Sequence, residues 1–185
     1  AGWKQPVSGT VTFDGRDITG MATYKLARIG FCFVPERPDS VLQPLTVRDN
    51  LALAAFAKRD RLRELEDWVF TLFPRLADRR NQIAGSMSGG EQQMLALARG
   101  LMTDPRLMLI DSPAIGLAPS IVDTVYDAIL GIRDRGVSML VIEQNAAMAL
   151  VVCDYVYILN RGRIAMQGES DQLRESSEVV DAYLG

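Results

Sequence analysis

The sequence contains no histidine and only two cysteines. Histidine is the commonest general base and the commonest transition-metal ligand in proteins, so its absence removes the usual means of both kinds of chemistry. Cys32 and Cys153 lie far apart in the chain, each among apolar residues, which argues against a zinc site or a redox pair. We expect both to be buried, reduced thiols of a cytosolic protein.

Long apolar runs, a strong charge bias and a signal-peptide layout are absent as well. The apolar run Ala146–Cys153 has eight residues, whereas a membrane-spanning helix needs ~18. Twenty Lys and Arg against 23 Asp and Glu give a net charge of -3, which does not favour binding to nucleic acid. We expect one globular domain of 185 residues with at most a small insertion.

The hydrophobic pattern predicts strands that alternate with helices. We expect strands at 8–13, 31–34, 107–110, 137–142, 155–159 and 163–167, and helices at 21–28, 62–72, 90–102, 120–135 and 146–152, with Thr46 and Ser170 as helix caps. Continuous apolar strands such as Leu107–Ile110 are typical of a mostly parallel sheet covered on both faces. In such an α/β fold ligands bind beyond the carboxyl ends of the strands. From Val41 to about Gly85 the pattern is helical instead, which indicates an insertion.

A glycine-rich turn precedes the predicted helix at 90–102. Ser88 supplies a hydroxyl at the helix N-terminus, while Gly89 and Gly90 allow close approach and leave N–H groups unpaired. Together with the helix dipole, this arrangement suits a phosphate. An ordinary serine cap followed by a flexible glycine pair would have the same sequence, so the motif alone leaves both interpretations open.

A carboxylate, Asp111, directly follows the apolar strand at 107–110. At the exit of a buried strand it is well placed to hold Mg²⁺ through water, although a capping or turn aspartate would look the same. One helix and the turn at 103–105 join the two stretches. Their combination is far more specific than either stretch alone.

This combination resembles the ATP-binding subunits of ABC transporters. In that family Leu-Ser-Gly-Gly-Gln opens a helix that leads to a Walker B strand ending in Asp; here Met87 replaces the Leu and Glu91 the Gln. Val34–Glu36 corresponds to the Q-loop, Ile115–Pro119 to the D-loop and Val141–Asn145 to the switch stretch. Glu in the Q-loop and Glu-Gln-Asn in the switch stretch are similar to the branched-chain amino acid uptake subgroup.

The resemblance implies a P-loop NTPase-like (ABC ATPase) α/β fold, with a parallel sheet core and a helical subdomain, N-terminally incomplete. Residues 1–185 would be a single partial ABC ATPase domain. It would consist of an N-terminal β part with the Q-loop (1–40), the helical subdomain (41–86) and the signature helix, Walker B strand, D-loop and switch region with the C-terminal strands and helix (87–185). Ala1–Trp3 would end the helix that follows the phosphate cradle, so we expect the chain to begin inside a domain.

The resemblance also implies ATP and Mg²⁺ as ligands. The residues expected to contact the nucleotide are Glu36, Ser88, Gly89, Gly90, Glu91 and Asp111. The signature residues would touch the γ-phosphate of ATP held by a second subunit, and Asp111 would serve the Mg²⁺ of its own subunit through water. Glu36 would sense the nucleotide and couple it to the helical subdomain.

The implied assembly is a head-to-tail homodimer, or a heterodimer with a sister ATPase, that clamps two ATP molecules. Residues 41–85 would dock the coupling helix of transmembrane permease subunits. The chain would then be the energy-coupling subunit of an importer for branched-chain amino acids or related amides, with ATP hydrolysis driving transport. It would lie on the cytoplasmic, inner face of the plasma membrane without inserting into it, and would bind no nucleic acid.

The sequence departs from the family at three places. The phosphate cradle Gly-x-x-x-x-Gly-Lys-Ser/Thr is missing; the nearest fit, Gly15–Gly20, is followed by Met21 and Ala22. Ser112 occupies the catalytic Glu position, and losing a general base typically costs about 10²- to 10⁴-fold in rate. Gln144 occupies the position of the switch histidine, which is normal in the subgroup.

Two hypotheses therefore stay open. The chain is a working transporter ATPase, or it is a degenerate subunit or scaffold that supplies its signature motif to a partner ATPase. A DNA-repair or translation ATPase is disfavoured, because it would need a long heptad insertion or a second such domain. With Ser112 in place, we predict that the chain does not hydrolyse ATP unaided.

Overall fold

The chain divides near residue 140 into two units, residues 1–140 and 141–185. The structure is a computed structural model that describes residue 2 and residues 4–176, so the helix end expected at Ala1–Trp3 lies largely outside the described residues. The first unit contains β1 (Thr12–Phe13), β2 (Arg16–Asp17), α1 (Thr23–Arg28), β3 (Phe31–Val34), α2 (Val47–Ala54), α3 (Leu62–Leu72), α4 (Pro74–Asp78), α5 (Gly89–Leu101), β4 (Leu107–Asp111), α6 (Pro119–Asp134) and the start of β5 (Ser138–Ile142). Short 3-10 turns lie at Phe56–Arg61 and Ala84–Ser86.

A sheet in the order β3-β4-β5 forms the centre of the first unit. β3 and β4 are parallel, as predicted, and Val34 lies opposite Ile110. Helix α5 packs on this pair, because a Cβ on Gly100 would lie 3.0 Å from Sγ of Cys32 and 3.0 Å from Cε of Met108. The glycine therefore lets the C-terminal end of the helix approach the strands closely.

The expectation that both faces of the sheet are covered is wrong for β5. Exposure alternates along this strand, and the side chains of Leu140 and Ile142 are 53% and 54% exposed. Alternation is typical of a strand that is packed on one face only. A run of apolar residues alone does not distinguish this case from a strand that is buried on both faces.

The N-terminal strand predicted at 8–13 shrinks to Thr12–Phe13, paired antiparallel with β2. Asp14 and Gly15 form the connecting turn, both with positive φ (49° and 71°), which suits the Asp-Gly pair that predicted it. The ladder stops at Val11, whose N–H donates to the Thr19 hydroxyl instead. Because β2 lies inside Gly15–Gly20, that stretch forms a hairpin and not a phosphate cradle.

The helical segment between β3 and β4 has its own apolar interior. As predicted, Thr46 caps α2 by accepting a hydrogen bond from the N–H of Asp49 (3.1 Å). Its fully buried apolar side chains include Val47, Leu51, Leu65, Val69, Phe73 and Leu76. Large apolar side chains on its surface are Leu42, Leu53, Phe56 and Ile83. The segment therefore has a packed interior and apolar residues on its surface.

A buried amide connects this segment to α5. The Asn50 side chain accepts a hydrogen bond from the N–H of Leu42 (2.9 Å) and donates one to the carbonyl of Thr46 (2.9 Å). Arg99 of α5 donates to its oxygen (3.0 Å) and to its backbone carbonyl (2.7 Å). Buried polar groups need such partners, so Asn50 couples the geometry of the helical segment to that of the signature helix.

The second unit contains α7 (Ala146–Val152), β6 (Tyr155–Asn160), β7 (Arg163–Glu169) and α8 (Ser170–Arg174). β6 and β7 form the predicted antiparallel hairpin, with Arg161 and Gly162 in its turn. The small hydrophobic core of the second unit consists of Leu150 and Leu173, and Val156, Ile158 and Met166 pack against them.

The predicted role of Ser170 as a helix cap is wrong. Helix α8 begins at Ser170, and Glu169 precedes it as the capping residue without a side-chain hydrogen bond. The Ser170 hydroxyl donates to the backbone carbonyl of Cys153 instead. The Ser170 hydroxyl therefore bonds to a residue distant in the sequence, whereas the sequence pattern predicted that it would bond to the start of its own helix.

Cys32 and Cys153 are partly exposed and not fully buried as expected. Burial raises the pKa of the Cys32 thiol to about 11, although a hydrogen bond with Thr103 acts in the opposite direction. Among the described residues, no helix combines the length and apolarity that crossing a membrane would require.

Candidate functional site

The turn that opens α5 is held by reciprocal hydrogen bonds. Ser88 is the capping residue, and its hydroxyl accepts a hydrogen bond from the N–H of Glu91 (3.4 Å). The Glu91 carboxylate in turn accepts bonds from the N–H and the hydroxyl of Ser88, both at 3.0 Å. This capping box starts the helix at Gly89, one residue before the predicted start.

Glu91 is also tied to the helical segment. Its second carboxylate oxygen lies 3.2 Å from Nε of Arg79, and the residue is only 6% exposed. The carboxylate therefore points into the molecule and holds the turn against the residue that follows α4. Arg79 was missed by sequence reasoning, because nothing in the sequence relates an arginine in a charged stretch to a glutamate twelve residues later.

The two glycines of the turn have different surroundings. A Cβ on Gly89 would meet no heavy atom within 4 Å, whereas one on Gly90 would lie 2.7 Å from Cγ2 of Ile121 in α6. Ser88 and Gly89 are exposed and Gly90 is buried. Gly90 is thus required for the packing of α5 against α6. The backbone of Gly89, by contrast, is exposed at the surface of the chain.

Asp111 and Ser112 follow each other at the carboxyl end of β4. The Ser112 hydroxyl is 3.5 Å from Oδ1 of Asp111, and Ser112 is 6% exposed. Its backbone has a positive φ of 44°, a conformation uncommon for residues other than glycine. The Ser112 hydroxyl, at the position predicted to correspond to the catalytic Glu, is therefore a donor toward the Asp111 carboxylate.

A cleft of roughly 330 Å³ lies beside the glycine turn. It is lined by Glu36, Arg37, Pro38, Gly89, Gln93, Ile115, Gly116 and Leu117. The residues that correspond to the Q-loop, the signature turn and the D-loop therefore meet around one space. Glu36, the predicted nucleotide sensor, is exposed at this cleft.

Gln93 is a residue of this cleft that sequence reasoning did not single out. It is 2% exposed, and neither its side-chain nitrogen nor its oxygen has a hydrogen-bond partner. Gln93 follows Gly89 by four residues and therefore lies on the same face of the helix. This spacing was the sequence signal that could have identified Gln93 as a residue of the cleft.

Asp104 does not belong to this site. It is paired with Lys58 (3.1 Å) and with Arg61 (2.5 Å) on the helical segment. Burial raises the pKa of Asp104, but the hydrogen bonds from Lys58 and Arg61 outweigh it and hold the pKa of this carboxyl below its usual value. A carboxylate of lowered pKa is a weak base, so Asp104 acts as a tie between the helical segment and the end of α5.

The switch residues belong to the second unit. The Glu143 carboxylate accepts hydrogen bonds from the backbone N–H groups of Gln144 (3.0 Å) and Asn145 (3.4 Å). Asn145 caps α7 by accepting a bond from the N–H of Met148 (3.2 Å). Gln144 itself is exposed.

Within residue 2 and residues 4–176, no group of three or more His, Cys, Asp or Glu side chains could hold a metal ion. Asp111 is thus a single carboxylate at the end of β4. Such a group fits Mg²⁺ that is bound mainly by nucleotide phosphates and water, because Mg²⁺ in nucleotide sites commonly takes one or two carboxylates from the protein.

Comparison with known proteins agrees with this fold. A family model described as "ABC transporter" matches residues 1–115. The chain covers 100% of its length against the ADP conformation of an ATP-binding cassette of an ABC transporter, with a TM-score of 0.78, 25% identity and 80% of that chain covered. The chain belongs to the ABC transporter family.

Within that family the chain is similar to proteins named for branched-chain amino acid transport. It is 42% identical to the high-affinity branched-chain amino acid transport ATP-binding protein BraG of Pseudomonas aeruginosa, over 100% of this chain and 79% of that protein. It is 32% identical to the probable branched-chain amino acid transport ATP-binding protein LivF of Archaeoglobus fulgidus, over 96% of this chain and 76% of that protein. The resemblance to an ABC ATPase of this subgroup is confirmed.

Proposed function

We propose that the chain is an ATP-binding, energy-coupling subunit of an ABC importer for branched-chain amino acids, peripheral on the inner face of the membrane. The observation that carries the proposal is the exposed glycine turn at the start of α5, which offers backbone N–H groups to the outside. The names of the BraG and LivF relatives supply the solute class.

The turn is suited to the terminal phosphate of a nucleotide held by a second subunit. The N–H groups of Gly89 and Gly90 lie in the first helical turn and have no partner within the helix. The capping box positions them without occupying them, since it uses the N–H groups of Ser88 and Glu91. A phosphate would also meet the positive end of the helix dipole. Glu91 acts in this proposal as a positioning residue.

Asp111 would hold Mg²⁺ through water, and Glu36 would respond to the nucleotide from the neighbouring cleft. Mg²⁺ neutralises the phosphate charge when it is bound. The chain's own contribution is to keep one carboxylate at the end of β4, with the Ser112 hydroxyl as its neighbour.

Ser112 limits the chemistry that the chain supplies. A serine hydroxyl is a poor general base near neutral pH, so this chain contributes binding and orientation and does not itself activate water. We therefore propose that hydrolysis depends on the partner ATP-binding subunit. Purified chain with Mg-ATP should release phosphate far below the ~1 s⁻¹ at the low end of ordinary enzyme turnover.

The helical segment would dock the permease. Leu53 and Phe56 are 51% and 64% exposed, and covering their apolar surface with a partner would be favourable. Val47, by contrast, is fully buried and does not belong to such a surface. Docking here would connect the permease to α5 through Asn50 and Arg99, which link the two elements.

Uptake by the assembled transporter tests the proposal. Gly89→Ala places a methyl group in open space, so the subunit should fold and assemble while ATP-driven leucine uptake into proteoliposomes falls about tenfold or more. Gly168→Ala is the matched control, because its Cβ would meet ordinary contacts at 3.5 Å in β7. Uptake that is equally fast with both variants would contradict the role of the turn.

A further inference from the structure

The carboxamide of Gln93 is buried without a hydrogen-bond partner. The residue is 2% exposed, and neither its side-chain nitrogen nor its oxygen is bonded to any of the described residues. The preceding residue, Gln92, donates by contrast to the carbonyl oxygens of Ala84 (3.1 Å) and Met87 (3.4 Å). Buried polar groups are nearly always hydrogen-bonded, and leaving one unpaired is costly. An arrangement in which the Gln93 carboxamide has partners would therefore be more favourable.

The loop that joins β4 to α6, residues 113–118, lies beside this carboxamide. Helices α5 and α6 are in close contact, since a Cβ on Gly90 would lie 2.7 Å from Cγ2 of Ile121. Almost one turn further along α5, Gln93 lines the same cleft as residues 115–117 of the loop. Gln93 and the loop are thus neighbours, although no hydrogen bond joins them.

The loop has a main-chain group that is not used within it. The N–H groups of Ile115 and Leu117 donate to carbonyl oxygens of the same turn, at 3.2 and 3.3 Å. The N–H of Gly116, between them, has no partner among the residues that the structure describes. Gly116 is exposed at the cleft, and a Cβ on it would meet no heavy atom within 4 Å. The loop therefore offers a free donor that another group can approach closely.

Another carboxamide of this chain shows how such a pairing is made. Oδ1 of Asn50 accepts a hydrogen bond from the N–H of Leu42 (2.9 Å), and its Nδ2 donates to the carbonyl oxygen of Leu42 (3.0 Å). A carboxamide carries a donor and an acceptor side by side, and a main-chain segment supplies the complementary pair. Gln93 carries the same two groups, beside a loop in which the N–H of Gly116 is free.

We propose that Gln93 is a positioning residue that fixes the loop at 113–118 through hydrogen bonds with its main chain. Oε1 of Gln93 accepts from the N–H of Gly116, and Nε2 donates to a carbonyl oxygen of the same loop. The bonds form when the loop moves toward α5 and narrows the cleft. Because the loop directly follows Asp111 and Ser112, these bonds tie the end of β4 to the helix that carries the glycine turn.

Nucleotide binding favours this arrangement, and in this respect the inference rests on the proposed function. Gly89 and Gln93 are four residues apart, so they lie on one face of α5, and both line the cleft. Mg-ATP at the glycine turn excludes water from the adjoining cleft, so the N–H of Gly116 loses water as a partner and needs one from the protein. A ligand shifts a population toward the arrangement that it binds better.

Hydrogen–deuterium exchange resolved to the N–H of Gly116, in the assembled transporter with and without Mg-ATP, tests the proposal. In the wild type, exchange at Gly116 should slow at least tenfold with Mg-ATP, because its N–H then donates to Gln93. Gln93→Met removes both polar groups at nearly constant size, so its unfolding midpoint should equal or exceed that of the wild type. The slowing at Gly116 should nevertheless be lost.

Two further variants separate the hydrogen bond from the packing of the side chain. Gln93→Glu keeps an oxygen that can accept from the N–H of Gly116, so the slowing should return in this variant. Gln92→Met breaks the bonds to Ala84 and Met87, so it should lower the unfolding midpoint and leave the slowing at Gly116 unchanged.

Two results would overturn the proposal. One is exchange at Gly116 that does not slow in the wild type under saturating Mg-ATP. The other is slowing that is as large in Gln93→Met as in the wild type. Exchange at Gly89 and Gly90, measured in the same samples, reports on the proposed function. Slowing at these two glycines without slowing at Gly116 would leave the proposed function intact, so the two failures are distinguishable.

Discussion

At the scale of single residues, positions close together in the signature turn and helix have different surroundings. Gly89 and Gly90 are adjacent in the signature turn, yet one faces open space and the other is packed against α6. Glu91 and Gln93 are both buried on α5, yet one is fully bonded and the other is not. Function at this turn therefore depends on which side of the helix each residue occupies.

The glycine pair gives a stability prediction. Gly90→Ala brings a methyl group to 2.7 Å from Cγ2 of Ile121 and should lower the free energy of unfolding by about 1 to 3 kcal/mol. Gly89→Ala should change it by less than about 1 kcal/mol, because the added methyl group meets nothing. Urea denaturation of the two variants measures the difference. Equal losses would show that the turn is packed differently from this description.

Asp104 gives a prediction about pH. Its folded-state pKa lies below the unfolded value, so the folded state binds fewer protons and this contribution to stability grows with pH. Asp104→Asn should cost about 1 kcal/mol near pH 7, a modest value because water screens part of the carboxylate. The cost should stay constant down to about pH 5 and disappear as the pH falls through ~4 and below. A cost that is the same at pH 3 and pH 7 would contradict the ion pair.

Ser88, Gly89, Gly90 and Asp111 could be predicted as site residues because the local sequence pattern indicates what a turn and a strand exit can do. Gln93 and Arg79 were not predicted. Whether a glutamine is paired, and which glutamate an arginine meets, depends on tertiary packing that leaves no trace in local spacing.

At the scale of elements, the start of α5 is the feature on which the site depends. Its capping box and its pair with Arg79 fix the turn from two sides, and the bond between Asn50 and Arg99 ties the C-terminal end of the helix to α2. A helix start held in this way presents its free N–H groups in a defined direction. This preorganisation is what binding of a phosphate requires.

The capping box gives a prediction at this scale. Glu91→Ala removes both the hydrogen bonds to Ser88 and the pair with Arg79, and it should lower the free energy of unfolding by about 1 to 2 kcal/mol. Arg79→Ala leaves the capping box intact and should cost less, since it removes only the half-exposed partner of the pair. Thermal unfolding of both variants provides the comparison. A larger loss of stability for Arg79→Ala than for Glu91→Ala would contradict the conclusion that the capping box contributes more than the ion pair.

Most elements followed from sequence periodicity, because helices such as α3 and α6 have one apolar face and strands such as β4 are continuous apolar runs. The failures occurred at element ends and at surfaces. The first strand was overextended since its ladder stops at a side-chain bond from Val11, and Ser170 was misassigned because its hydroxyl has a tertiary partner.

At the scale of the whole molecule, the family and the α/β fold were predictable from motif order along the chain, and the comparisons with BraG and LivF confirm the subgroup. The division into residues 1–140 and 141–185 was not predicted. A division into compact units depends on how many tertiary contacts join the residues on either side of the boundary. The spacing of motifs along the sequence does not indicate that number.

In the proposed function, the exposed turn at the start of α5 binds the terminal phosphate of a nucleotide held by a neighbouring subunit. Hydrogen–deuterium exchange of residues 87–93 in the assembled transporter, with and without Mg-ATP, tests this binding. We predict that exchange at Gly89 and Gly90 slows at least tenfold when Mg-ATP binds, because their N–H groups then donate to phosphate. Unchanged exchange in this segment under conditions where the assembly is saturated with Mg-ATP would contradict the claim.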